Sequence, residues 1–312
     1  MSLATVFPGQ GSQYQGMGLD FIENDREWFE SIEQKLSFPL RKLIEEGPAE
    51  KLARTKYTQP VIFTVSHLIY RYMCRNGFAA DYFAGHSLGE YNALVAAGWV
   101  SFEDLLPAVV ARGQAMDEVA EELDGGMAAV LKLEPEPLKE LCAQITADDS
   151  VEGKVEVALL NSPGQSVVSG SSAAIEAVVE KARDAGALKA VALDVSGPWH
   201  SSYMEPARQK LKNILAGIDW KVGKPYFANA TGEIVDSGTP EKHLLDQMVN
   251  PVLWGDSVQN MLEAGVDSFV EVGPGKVLSG LIKRCSRKSD TKPEIFKTDN
   301  IEQTENWLKE VQ

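Results

Sequence analysis

A chain of 312 residues with a formal net charge of −15 is long enough to bury a sizeable core, as one large domain with or without a smaller one inserted in it. That charge argues against a nucleic-acid partner, since nothing offsets repulsion from phosphates, but it leaves room for a small anion held by one or two placed cations. No stretch approaches the roughly 18 consecutive apolar residues of a membrane span, the N-terminus lacks the basic region of a signal peptide, and Cys74, Cys142 and Cys285 are far apart without metal-site spacing, which predicts a cytoplasmic chain with reduced thiols and no metal.

Residues 3–7 read as a buried strand running into Phe7-Pro8-Gly9-Gln10-Gly11-Ser12-Gln13. Tyr14 stands where the third glycine of a dinucleotide fingerprint belongs, so that fingerprint fails. The loop still presents backbone N–H groups at a strand end, as an anion or oxyanion site requires. Residues 23–56 have an acidic helical pattern broken at Gly47-Pro48. A long apolar helix is predicted over 61–75, with Pro60 at its first turn; His67 falls on it and reads as structural or surface. A short strand over 80–84 leads to Gly85-His86-Ser87-Leu88-Gly89, followed by an Ala- and Leu-rich helix that stops at Gly98. Ser101 is placed to cap the next helix, which carries Arg112.

The pattern changes at Gly125-Gly126. Strand, helix, strand, strand, helix and strand follow in about seventy residues, the order of the ferredoxin-like split βαβ unit. The fold class is therefore α/β: a large domain with a parallel-sheet core, residues 1–125 and 197–312, and an inserted βαββαβ domain, residues 126–196. Gly197-Pro198-Trp199-His200-Ser201-Ser202 returns the chain to the large domain. Helices are expected over 204–215, 243–249, 257–264 and 277–283, and strands over 225–229 and 267–272. After Arg284 the tail reads as polar and partly mobile, with Trp307 as a possible anchor.

Gly-x-Ser-x-Gly between a strand and a helix is the context of a nucleophile elbow. A tight turn projects the Ser87 hydroxyl, and the helix N-terminus favours the negative charge that develops in acyl transfer. A serine hydroxyl needs a base within hydrogen-bond reach. Of the four histidines, His86 abuts Ser87 and points away from it, and His67 and His243 fall on helices. His200, in a Gly-Pro-aromatic turn after a strand, is the candidate base. No Asp or Glu is marked out to orient it, and a backbone carbonyl would serve by fixing the tautomer.

Gly9-Gln10-Gly11-Ser12-Gln13, Gly85-His86-Ser87-Leu88-Gly89-Glu90, Arg112-Gly113, Asn161-Ser162-Pro163-Gly164, Gly197 to Ser202, Asn250-Pro251-x-x-Trp254 and Val272-Gly273-Pro274-Gly275 occur in one order over residues 4–285. In this the chain resembles the malonyl-CoA:acyl carrier protein transacylases, and also the freestanding acyltransferases that load polyketide synthases in trans. The resemblance implies an α/β-hydrolase-like domain with a ferredoxin-like insertion, no cofactor and a monomer. It implies a ping-pong course in which Ser87 takes malonyl from a coenzyme A thioester, His200 moves the proton, and the phosphopantetheine thiol of an acyl carrier protein collects the acyl group. The N–H groups of Gln10 and Leu88 would form the oxyanion hole, Arg112 would grip the malonyl carboxylate, and Gln59, His86, Asn161 and Trp199 would border the substrate. Gln247 matches the position whose main-chain carbonyl accepts from the histidine. Trp199 would fill the volume of an α-methyl group. Lys181, Arg183 and Lys189, or Lys283, Arg284, Arg287 and Lys288, are candidates to meet an acidic carrier. Two other readings use the same residues: an acyl hydrolase that clears carrier proteins, and an inactive carrier-binding module.

Overall fold

Every residue of the first strand, Leu3–Phe7, is buried, as expected of a strand covered on both faces by helices. A computed structural model describes residues 2–289 and 292–311. Its strands are β1 (Leu3–Phe7), β2 (Tyr82–Gly85), β3 (Gly125–Leu131), β4 (Val155–Ser162), β5 (Gln165–Ser171), β6 (Lys189–Ala192), β7 (Tyr226–Phe227), β8 (Ile234–Val235), β9 (Ser268–Glu271) and β10 (Glu294–Lys297). They form two sheets, one in the order β10-β9-β1-β2-β7-β8 and one in the order β4-β5-β3-β6. In the first sheet β10, β9, β1, β2 and β7 run parallel, and β8 closes the edge antiparallel to β7.

The second sheet is antiparallel throughout. Helices Pro135–Thr146 and Ser172–Lys181 supply Leu138, Leu141, Ile145, Ile175 and Val178 to a core of its own. A short parallel bridge is one of its ties to the larger unit: Val252 donates its N–H to the Ala158 carbonyl at 2.9 Å, and Leu160 donates to the Val252 carbonyl at 2.9 Å. This seam places β4 against the C-terminal edge of the parallel sheet, where ligands of open α/β sheets bind.

Two expectations change. The helix predicted over 61–75 spans Thr55–Arg75, so Pro60 lies inside it and not in the first turn. Pro60 removes only the bond to the Lys56 carbonyl, and the extra turn is secured by the Thr58 hydroxyl, which donates to the carbonyls of Leu52 and Arg54 at 2.6 and 3.0 Å. The tail is also structured more than its polarity suggested. β10 extends the parallel sheet and helix Ile301–Val311 follows it. Trp307 packs its ring 5.4 Å from Phe78 and 5.5 Å from Phe296. Burial of that indole, the anchor that the sequence offered, holds the segment. Among the described residues no helix is long and apolar enough to cross a membrane.

His67 is structural, as its position on the helix suggested. It stacks on Phe102 at 4.6 Å and lies 5.4 Å from Trp28. Desolvation there, with Arg71 nearby, pushes the imidazole down to about 3. A histidine held neutral in the native state is protonated on unfolding, so stability falls as pH drops below the unfolded value near 6.5. Between about pH 6 and pH 4, urea unfolding should lose about 1.4 kcal/mol per pH unit less in His67→Phe than in the parent.

Candidate active site

The turn after β2 can form only because its glycines lack side chains. A Cβ on Gly85 would sit 1.9 Å from the Gly89 carbonyl carbon, and one on Gly89 would sit 2.0 Å from the Phe7 carbonyl oxygen. These contacts press β2, the following helix Gly89–Ala97 and the end of β1 together. Ser87 takes up the resulting reversal at φ 52°, a left-handed conformation that a non-glycine residue adopts only when its surroundings enforce it. Asn229, just past β7, holds the turn from the far side. Its Oδ1 accepts from the Ser87 N–H at 2.6 Å, and its Nδ2 donates to the Gly85 carbonyl at 2.6 Å.

His200 arrives from the loop that leaves the smaller sheet and also has positive φ, 57°. Glu156 of β4 pins that loop by accepting from the N–H and hydroxyl of Ser202 at 2.7 and 2.6 Å. His200 Nε2 lies 2.8 Å from Ser87 Oγ, and its Nδ1 lies 2.8 Å from the carbonyl oxygen of Gln247. A carbonyl can only accept, so Nδ1 carries the hydrogen and Nε2 is left with a lone pair toward the serine. Burial, with Arg112 adding to it, pushes His200 down to about 3. The imidazole is therefore neutral at physiological pH and ready to take a proton. The base is oriented by a peptide group and not by an acid, which is why no Asp or Glu stood out beside it.

Arg112 projects from helix Phe102–Glu122 and is almost wholly buried, at 1% exposure. Its Nη2 donates to Ser87 Oγ at 3.2 Å and to Gln247 Oε1 at 3.0 Å, while Nε and Nη1 have no partner. Burial lowers its pKa, but a guanidinium stays charged across the accessible range. A buried cation with two unused donors is costly to maintain and is what a substrate carboxylate would satisfy.

These groups open onto a cleft of about 520 Å³ between the two sheets, lined by Gln10, Gln59, His86, Leu88 and Trp199 together with Ser87, Arg112 and His200. The backbone N–H groups of Gln10 and Leu88 have no acceptor among the described residues, so both are free for an oxyanion. They are near neighbours: a Cβ on Gly9 would lie 3.7 Å from the Leu88 nitrogen. Gln59 Nε2 lies 3.1 Å from the Met116 sulfur, and its Oε1 is buried without a partner. Asn161 lies against His86 of the cleft wall. Its Oδ1 lies 2.8 Å from His86 Nε2, so β4 positions the His86 ring through Asn161, while Leu159 of the same strand reaches the cleft wall.

Sequence reasoning missed two residues. Asn229 follows an apolar strand at the C-terminal edge of the sheet, and that placement was the available signal. Glu90 was quoted only as the last residue of the motif around Ser87, without a role, yet it is fully buried and accepts from Gln247 Nε2 at 2.7 Å and from the Asn229 N–H at 3.2 Å. Of the two basic clusters, Lys181 is paired with Asp148 at 3.2 Å. Lys283 and Arg287 instead line a second cavity with Lys276, Lys292 and Lys297. Among the described residues no group of acidic, Cys and His side chains is arranged to hold a metal ion.

Residues 5–305 match the model of the acyl transferase domain family. The chain belongs to that family. This acyltransferase is 39% identical over 294 residues to a malonyl CoA-acyl carrier protein transacylase of Bacillus subtilis strain 168, covering 93% of this chain and 92% of the relative. Its fold superposes on an acyl-carrier-protein S-malonyltransferase from Burkholderia pseudomallei 1710b with TM-score 0.90 at 40% identity, covering 99% of this chain and 100% of the other. A malonyl-transacylase in complex with a type II polyketide-synthase acyl-carrier protein matches with TM-score 0.92 at 34% identity, covering 99% of this chain and 100% of that one.

Asn229→Ala would leave the Ser87 N–H and the Gly85 carbonyl unpaired in a buried site, at about 1–3 kcal/mol each. Urea unfolding should show a loss of about 2–4 kcal/mol, with kcat falling more than KM rises. An unchanged midpoint with full activity would remove Asn229 from the elbow.

Proposed function

We propose that this chain is a malonyl-CoA:acyl carrier protein transacylase working through a malonyl-Ser87 intermediate. The observation that carries the reading is the buried, half-partnered Arg112 guanidinium beside the Ser87–His200 pair. A neutral acyl group would leave its free donors unsatisfied, whereas a malonyl carboxylate would accept from them in a bidentate pair. The names of the relatives support the same substrate and acceptor.

In this reading Ser87 Oγ attacks the thioester carbonyl of malonyl-CoA while His200 Nε2 takes its proton. The imidazolium that forms is held by the Gln247 carbonyl, and the N–H groups of Gln10 and Leu88 receive the oxyanion. Collapse breaks the C–S bond, and His200 returns the proton to the departing thiolate of coenzyme A. The carrier's phosphopantetheine thiol then gives its proton to His200 and attacks the acyl-serine. A second collapse returns the proton to Ser87 and leaves malonyl on the carrier. Nucleophile, base, donors and cation are all supplied by the chain, so the course needs no cofactor. A cytoplasmic setting suits the reading, because malonyl-CoA and carrier proteins meet there.

Radiolabelled malonyl-CoA should label the protein, and carrier protein should then remove the label to itself. Rapid loss of label to water would support a hydrolase, and absence of label would support an inactive module. Arg112→Ala should lower kcat/KM for malonyl-CoA by about a hundredfold or more, with no comparable loss for acetyl-CoA. Trp199, buried in the cleft wall, is read as occupying the space of an α-methyl group. Trp199→Ser should therefore raise the methylmalonyl-CoA to malonyl-CoA ratio of kcat/KM by about tenfold or more; an unchanged ratio would refute that role.

A further inference from the structure

Glu90 is a wholly buried carboxyl that the transfer of malonyl does not use. Its Oε2 accepts from the Gln247 side-chain Nε2 at 2.7 Å and from the Asn229 N–H at 3.2 Å, while Oε1 has no partner. The other end of the same amide, Gln247 Oε1, accepts from Arg112 Nη2 at 3.0 Å. One buried glutamine thus stands between a buried cation and a buried acid, with its dipole aligned to both. Among the described residues Arg112 makes no ion pair and lies over the Tyr91 ring at 5.4 Å, and a buried charge without a counter-ion is expensive. Before substrate arrives, the negative charge available to balance it is Glu90 at one remove. When a substrate carboxylate reaches Arg112, two anions face one cation, and the buried one is the easier to neutralise.

We propose that Glu90 is the resident counter-charge of Arg112, relayed through the Gln247 amide, and that binding of the malonyl carboxylate is coupled to uptake of one proton from solvent by the Glu90 carboxylate. The proton returns to solvent when the malonyl group leaves on the carrier. Glu90 is a positioning residue here: it acts on substrate through Gln247 and Arg112. Burial pushes its carboxyl up to about 7 in the free protein, so a second negative charge nearby raises it further and protonates it. The groups facing Glu90 are Tyr91 on its own helix, Arg112 on helix Phe102–Glu122, and Tyr226 on β7 with His243 against the Tyr226 ring; His200 stands beyond Arg112. Tyr91 and Tyr226 are pushed up by burial and stay protonated, and His200 is pushed down and stays neutral. Binding is thus favoured at low pH and weakens as pH rises above about 7.

The inference rests on the malonyl reading of Arg112, and calorimetry on Ser87→Ala protein separates the two. Malonyl-CoA and acetyl-CoA are titrated at about pH 8 in buffers of different ionisation enthalpy, which gives the protons taken up per ligand bound. Malonyl-CoA should take up close to one proton more than acetyl-CoA, a difference that cancels any contribution of the coenzyme A phosphates. In Ser87→Ala/Glu90→Gln the difference should vanish while malonyl-CoA still binds. The malonyl-CoA Kd should rise by up to about tenfold per pH unit above about pH 7 with Glu90 present and be flat with Gln. Equal uptake for the two ligands in the Ser87→Ala protein would overturn the proposal, without relying on the folding of the double variant. Persistence of the difference in the Glu90→Gln background would assign the proton to another group and overturn it too. Failure of malonyl-CoA to bind at all would overturn the substrate reading and this inference with it.

Discussion

The catalytic constellation hangs on one glutamine. The Gln247 main-chain carbonyl fixes the hydrogen of His200 on Nδ1, and the side-chain amide accepts from Arg112 while donating to the Ser87 carbonyl and to Glu90. Base, cation, nucleophile turn and buried acid therefore share a single buried residue on helix Glu241–Val249. A neutral amide is suited to this position. It can satisfy a cation at one end and an acid at the other without adding a charge that would bind the substrate clamp permanently. Were a carboxylate placed in its stead, Arg112 would be paired before substrate arrived.

The constraint beneath Gln247 is backbone crowding. β1, β2 and the helix after Ser87 approach closely enough that Gly85 and Gly89 have no room for a Cβ, and the strain emerges as the positive φ of Ser87. That strain is useful because it brings the hydroxyl to the surface of the cleft and leaves the Leu88 N–H free behind it. The smaller sheet contributes the opposite wall. Through Glu156 it fixes the loop that carries His200, and through Asn161 it fixes the ring of His86. The insertion thus shapes the site from outside and supplies neither nucleophile nor base.

Much of this was legible in the chain because the elbow, the Gly-rich loop after β1 and the Trp199-His200 turn are local signals, each written in a few adjacent residues. The alternation of strand and helix from Met127 onward likewise gave the second sheet. What could not be read locally depends on pairing across the sequence. Asn229 meets Ser87 across 142 residues, and Glu90 meets Gln247 across 157, so neither partner announces itself. Arg112 owed its assignment to resemblance, since a lone arginine on an amphipathic helix is ordinarily a surface residue. The tail was read as partly mobile from its polar composition even with Trp307 as its candidate anchor, because the pairing of β10 with β9 is not written in composition. Asn161 meets His86 across 75 residues, another pairing with no local signal.

The central claim is that a malonyl group rests on Ser87 between two thiols. Its most direct test is mass spectrometry of the protein quenched in acid shortly after mixing with malonyl-CoA, followed by peptide mapping. The account predicts the mass of one malonyl group on the peptide containing Ser87, its disappearance when carrier protein is added before the quench, and no modification in Ser87→Ala. Malonyl mapped to another side chain, or transfer to carrier at the normal rate by Ser87→Ala, would contradict it.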